Sequence, residues 1–123
     1  MILIFGGAYQ GKLEYAQKNY DAETVCDCSN GETPDFTKDI IYGLDGFVLE
    51  CARQGREAAD FFRDSREEWQ DKVLISTDVS QGIVPVDTVM RAFREMNGRL
   101  MLYLAEEADQ VVRVFCGIGR REK

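Results

Sequence analysis

The sequence predicts a three-layer α/β fold in a single domain, residues 1–123, with a mostly parallel sheet and helices on both faces. Three observations predict it. Short continuous apolar runs alternate with stretches of helical period along the chain, and strands alternating with helices imply a parallel sheet covered on both sides. The first run, Met1–Phe5, stops at a glycine pair, as a strand buried on both faces does before it turns. A length of 123 residues with 45% hydrophobic residues suits one domain with one core.

Each element follows from its own pattern. Met1–Phe5 is the first strand, and a helix begins around Lys12, carrying Tyr15 and Ala16 towards the core. Glu23–Asp27, centred on Val25, is a short second strand, and Asn30–Asp35, with Gly31 and Pro34, is a loop. Ile41, Leu44, Phe47, Val48 and Cys51 fall at helical spacing, which predicts a helix over Phe36–Gln54 ended by Gly55. Gly43 and Gly46 weaken it, by roughly 1 kcal/mol each against alanine. Glu57–Trp69 reads as a further helix with Ala58, Phe61, Phe62 and Trp69 on its apolar side. Val73–Thr77 is a buried strand closed by Asp78, and Gly82 and Pro85 mark the loop after it. Val89, Phe93, Met96, Leu100 and Leu104 keep steps of three and four, so one long helix runs over 86–106, through Asn97-Gly98. Val111–Cys116 is the last strand and Gly117–Lys123 a short basic end. The expected order is β-α-β-α-α-β-α-β, with no internal repeat or linker.

Composition removes several classes of function. Fifteen basic and 22 acidic residues leave a net charge of -7, which argues against a broad nucleic-acid contact. No apolar stretch reaches the roughly 18–20 residues needed to span a bilayer. The apolar start is too short for a signal peptide and lacks a basic flank. The spacing of Cys26, Cys28, Cys51 and Cys116 fits neither a zinc site nor a disulfide framework. They read as reduced thiols of a cytoplasmic protein, with Cys26 and Cys28 structural. The chain contains no histidine, so mechanisms needing an imidazole base, nucleophile or ligand have no residue here.

The chemistry sits in "GGAYQGKL", residues 6–13. Gly6, Gly11 and Lys12 satisfy the phosphate-loop pattern G-x-x-x-x-G-K-[ST], but Leu13 stands at the hydroxyl position. In such a loop, glycines let backbone N–H groups turn around the phosphates, and the lysine and helix N-terminus neutralise them. Gly6, Gly7, Ala8, Tyr9, Gln10, Gly11, Lys12 and Leu13 are therefore the candidate nucleotide-binding residues. The terminal Ser or Thr ordinarily holds magnesium, which Leu13 cannot do. An ordinary glycine-containing β-to-α turn is the competing reading of the same eight residues. Asp78, ending the "KVLISTD" strand, sits where ligands bind in open α/β sheets, and is the candidate catalytic and metal-holding acid beside Lys12. A turn or cap is its plainer role.

The marks after Asp78 carry a resemblance. "GIVP" at Gly82–Pro85, "RAFREMNGR" at Arg91–Arg99, "AEEAD" at Ala105–Asp109 and "GIG" at Gly117–Gly119 resemble the C-terminal end of the bifunctional adenosylcobinamide kinase / adenosylcobinamide-phosphate guanylyltransferase family of cobalamin biosynthesis. "MILIFGGAYQGK" at Met1–Lys12 resembles the family's start. The resemblance implies a P-loop-type domain that binds ATP or GTP with Mg2+ and phosphorylates the aminopropanol hydroxyl of adenosylcobinamide, a corrinoid. It also implies GMP transfer through a covalent histidine, for which this chain has no counterpart. Gly6, Gly7, Gly11, Lys12 and Asp78 match the family's positions; Leu13 departs from them and implies a weakened magnesium site. The family forms homo-oligomers, and the long helix has apolar surface enough to join one or simply to pack in the core.

Three readings follow: a reduced kinase, a non-catalytic nucleotide- or corrinoid-binding relative, and a ligand-free interaction domain. The third calls for a collapsed loop with Lys12 salt-bridged to an acid.

Overall fold

The computed structural model describes residues 1–78 and 87–123. A six-stranded sheet runs through its centre in the order β2-β3-β4-β1-β5-β6. The strands are β1 (Ile2–Gly6), β2 (Val25–Asp27), β3 (Ile40–Tyr42), β4 (Val73–Thr77), β5 (Gln110–Phe115) and β6 (Ile118–Arg121). All neighbours pair in parallel except β5 and β6. The helices are α1 (Lys12–Asn19), α2 (Leu44–Gln54), α3 (Ala58–Asp64) and α4 (Thr88–Glu107).

Alternation along each strand builds the three layers. Leu3 of β1 pairs in register with Leu74 and Val111, and Ile41 pairs with Leu74. All four face a core completed by α2, α3 and α4 through Phe47, Phe62, Met96, Leu100 and Leu104, with Trp69 from the segment after α3. The intervening residues Ile4, Ile40, Ile75 and Val112 face the other side, where Ala16 and the partly buried Leu13 and Tyr15 of α1 cover them. Both faces are thus apolar, which is why β1 and β4 read as continuous apolar runs.

Three expectations are corrected. The stretch from Phe36 to Gln54 is not one helix, because Ile40–Tyr42 forms β3 and α2 begins only at Leu44. Ile41 is fully buried as expected, but from a strand. The break is Gly43, at φ 74°, where a Cβ would stand 2.7 Å from the Ser29 nitrogen. Only glycine takes that conformation at little cost. At Gly46 a Cβ would overlap the Cys28 and Ser29 backbone, so the glycines that weaken the helix are what let it dock.

The expected helix Glu57–Trp69 is shorter, ending at Asp64 and continuing as a 3-10 turn, Arg66–Glu68. The Ser65 N–H and hydroxyl both donate to the Phe61 carbonyl, at 3.1 and 2.7 Å, diverting the chain. Trp69 is then buried with its indole N–H donating to the Phe62 carbonyl at 2.9 Å.

The basic end, finally, is a strand. Cys116 and Gly117, at φ 51° and 74°, form a two-residue turn of the kind that joins hairpins, and β6 pairs antiparallel with β5. The observed order is therefore β-α-β-β-α-α-β-α-β-β.

The long helix is continuous through Asn97-Gly98. Asp87 caps it, its Oδ1 accepting from the Val89 and Met90 N–H groups at 2.7 and 3.2 Å. The expected loop with Gly82 and Pro85, and the expected first residue of the helix, Val86, lie outside the described residues. All four cysteines are free thiols, with Cys26 and Cys28 sulfurs 3.7 Å apart. Burial pushes the Cys28 thiol pKa far up. No helix among the described residues is long and apolar enough to cross a membrane.

Candidate nucleotide site

The loop of residues 7–11 leaves β1 at the carboxyl edge of the sheet and enters α1 at Lys12. Gly6 is required where it stands, because a Cβ there would overlap the Val114 carbonyl oxygen of β5. Gly11, at φ 81°, is the N-cap of α1. Tyr9 also has a positive φ, 60°, with its side chain fully exposed, a conformation that is strained for a bulky residue.

Gln10 fastens the loop. Its backbone carbonyl accepts from the Gly117 N–H at 2.8 Å, and its side-chain carbonyl accepts from the Cys116 N–H at 2.7 Å. The β5–β6 turn is therefore the anchor of the loop. Reading the chain's end as a tail hides this role of Gln10; the Cys-Gly pair between Phe115 and Ile118 is the signal that shows it.

Lys12 is only 4% exposed, and its ammonium donates to the Gly7 carbonyl at 2.6 Å. Burial lowers its pKa, while the charges of Asp45 and Glu14 push the other way. Among the described residues no carboxylate lies within ion-pair distance of it. The ammonium is thus held across its own loop, in a low-dielectric position where an anion would gain most from it.

A cleft of about 580 Å3 opens beside the loop. Its walls are loop and α1 residues from Ala8 to Glu14, together with Val25, Asp27, Tyr42, Asp45 and Thr77. Asp45 is the residue sequence reasoning missed. It lies in the first turn of α2, and its Oδ1 accepts from the Thr77 N–H at 3.2 Å. The docking of α2 through Gly43 and Gly46 puts it there. Asp27, at the end of β2, holds the Ser29 N–H and hydroxyl through Oδ1 at 2.9 and 2.5 Å. Burial, then the charges of Asp27, Asp45 and Glu14, raises the Tyr42 pKa.

Asp78 follows β4, the strand beside β1, and its N–H donates to the Gly6 carbonyl at 2.7 Å. The end of β4 is thereby tied to the start of the glycine loop. Asp78 itself lines a second cleft on the other side of Thr77, and Thr77 lines both. The structure therefore brings Ala8–Leu13 and Asp45 around one cleft and places Asp78, expected to face the glycine loop, on the wall of the other. Leu13 is divided between two roles, lining the cleft and packing against the α1-side core. Among the described residues no cluster of three or more metal-ligating side chains is formed.

The family model for cobinamide kinase / cobinamide phosphate guanyltransferase matches residues 44–121, from α2 to the end of β6. The bifunctional adenosylcobalamin biosynthesis protein CobU of Salmonella typhimurium strain LT2 is 43% identical over 51 residues. That stretch is 42% of this chain and 28% of the Salmonella protein. The glycine loop precedes the span matched by the family model, whereas Asp45, Asp78 and the hairpin that anchors the loop fall within it. With more than half of its length matched, the chain belongs to the cobinamide kinase / cobinamide phosphate guanyltransferase family.

Proposed function

We propose that the cleft between the glycine loop and β4 binds a nucleoside triphosphate, ATP or GTP, and that the chain is a reduced adenosylcobinamide kinase of cobalamin biosynthesis. The observation that carries the reading is the Lys12 ammonium, buried and donating to Gly7 of its own loop. A phosphate oxygen in the cleft can take the place of that carbonyl as acceptor, and the N-terminus of α1 adds its partial positive charge. The open cleft and the absence of an ion pair on Lys12 among the described residues weigh against a ligand-free interaction domain.

A phosphate-bound Mg2+ needs only one or two protein carboxylates, the rest of its shell being water and phosphate. Asp45 is the donor for it on the cleft wall, Asp78 would join it only with its side chain turned from the second cleft, and Leu13 offers none. Bound there, the ion would supply charge neutralisation on the phosphates. Phosphoryl transfer rests on positioning and neutralisation rather than covalent chemistry, so loss of one ligand slows the reaction. Lys12 holds the phosphates, Gln10 keeps the loop in shape, and the Asp78 N–H ties the end of β4 to Gly6. Guanylyl transfer through histidine has no residue in this chain.

A second reading, a non-catalytic nucleotide- or corrinoid-binding relative, is favoured by the cleft's charge. Among the described residues, Glu14, Asp27 and Asp45 line it against the one cation Lys12, an excess of negative charge that opposes the neutralisation phosphoryl transfer needs. Incubation with ATP or GTP, Mg2+ and adenosylcobinamide separates the two. Slow formation of adenosylcobinamide phosphate supports the kinase. Nucleotide-dependent thermal stabilisation without product supports the binding relative.

A further inference from the structure

The second cleft, about 340 Å3, lies on the opposite face of the sheet from α1, between β1, β5 and the middle of α4. Its volume is within the range of small-molecule sites. Most of its wall is apolar, from Leu3, Phe5, Met101 and Val111. Arg113 lies over the Phe5 ring at 4.9 Å and lines the cleft with Asp78, so its two charged walls have opposite signs.

One polar group stands out. Asn97 lines the cleft and is 5% exposed, yet its side-chain carbonyl oxygen meets no hydrogen-bond partner among the described residues. Buried polar atoms are nearly always paired, and an orphaned one calls for a partner that completes it. Its position on the helix is the reverse of what packing alone selects. Met96, Leu100 and Leu104 of α4 fill the core, and an apolar residue would serve at Asn97 too. The next residue, Gly98, leaves the wall open: a Cβ there would meet nothing within 4 Å.

We infer that this cleft binds a neutral small molecule with an apolar body and one hydrogen-bond donor, which donates to the Asn97 carbonyl oxygen. The apolar body packs on Leu3, Phe5 and Met101, and the opposed charges of Asp78 and Arg113 give no advantage to a charged ligand. Because Thr77 borders both clefts, the ligand sits next to the nucleotide cleft. The inference stands independently of nucleotide binding.

The test is a titration of the full chain, followed by 1H–15N correlation spectra, with benzamide and with methyl benzoate, which has similar size but no N–H. The expected result is saturable shifts at Gly98 and Leu102, with benzamide tighter by about ten-fold, the worth of one hydrogen bond to a buried acceptor. Asn97→Leu keeps the branching of the side chain, and in it the preference for benzamide should vanish. Gly98→Leu, a better helix former than glycine, should weaken both probes by occupying the cleft. Equal affinity for the two probes, absence of saturable shifts, or a preference that survives in Asn97→Leu would overturn the inference. So would loss of the shifts through a concentration-dependent self-association that covers the cleft.

Discussion

Leu13→Ser is the most informative single change, because Leu13 both stands at the missing hydroxyl position and belongs partly to the core. Truncating a fully buried leucine costs about 2–5 kcal/mol. Leu13 is only half-buried, at the second position of α1, so the loss should be about 1–2 kcal/mol. For a domain of this size that lowers Tm by roughly 4–8 °C. In exchange, the serine hydroxyl is placed on the cleft wall, where it can hold a phosphate-bound magnesium ion. Calorimetric titration with ATP, with and without Mg2+, should show little magnesium dependence in the parent and a clear gain in the variant. The melting curve of the same samples reads the stability term. A parent with fast, strictly magnesium-dependent turnover would refute the idea of a weakened site. A variant that loses stability with no gain in magnesium dependence would show that Leu13 acts in the core alone.

Four further outcomes follow from the geometry. Lys12 has a lowered pKa in the fold, so its ammonium is lost at a pH below the usual lysine range, and nucleotide affinity should fall there. The sign for stability is opposite. The unfolded chain holds the proton more tightly, so between the folded and unfolded pKa values stability should rise with pH relative to Lys12→Met. Asp45→Asn removes the larger of the charges that raise that pKa, so its loss of nucleotide affinity should begin at lower pH, measured by titration across pH 8–10 (roughly the window below the usual lysine value). Gly43→Ala meets both a positive φ of 74° and the Ser29 backbone and should cost about 2 kcal/mol or more in urea unfolding; a neutral result would remove the docking argument for α2. Ser76→Ala deletes a buried hydroxyl that has no partner among the described residues and should be neutral or stabilising, by up to about 1 kcal/mol; a clear loss would mean that the hydroxyl is satisfied.

The layers and most elements were legible in the sequence because strands buried on both faces and long amphipathic helices leave strong patterns. Met1–Phe5, Val73–Thr77 and the helix through Asn97-Gly98 are of that kind. What was hidden were short elements decided by backbone contacts. Ile41 is in phase with Leu44, Phe47, Val48 and Cys51, so β3 is masked by a helical period that its own buried residue completes. The period does not show that Gly43 bends the chain against Ser29. That error also hid Asp45, which reads as mid-helix until α2 is known to start at Leu44. Likewise β6, with exposed Ile118 and basic residues, has no apolar face to announce it. Without it the anchoring of Gln10 cannot be seen. Asp78 is a candidate through its place at the end of an apolar strand, but it lines the second cleft, because that depends on the direction of a side chain.

The claim that the glycine loop is a nucleotide site is tested most directly by comparing ATP binding to the parent and to Lys12→Ala in the same calorimetric titration. Among the described residues Lys12 is the only cation lining the cleft, and its removal relieves the burial of an ammonium, so the variant should fold and melt as a single transition. The account predicts saturable binding by the parent and a loss of roughly 10–150-fold in the variant, the worth of a buried charge-assisted hydrogen bond to phosphate. Equal affinities in the two proteins would contradict it.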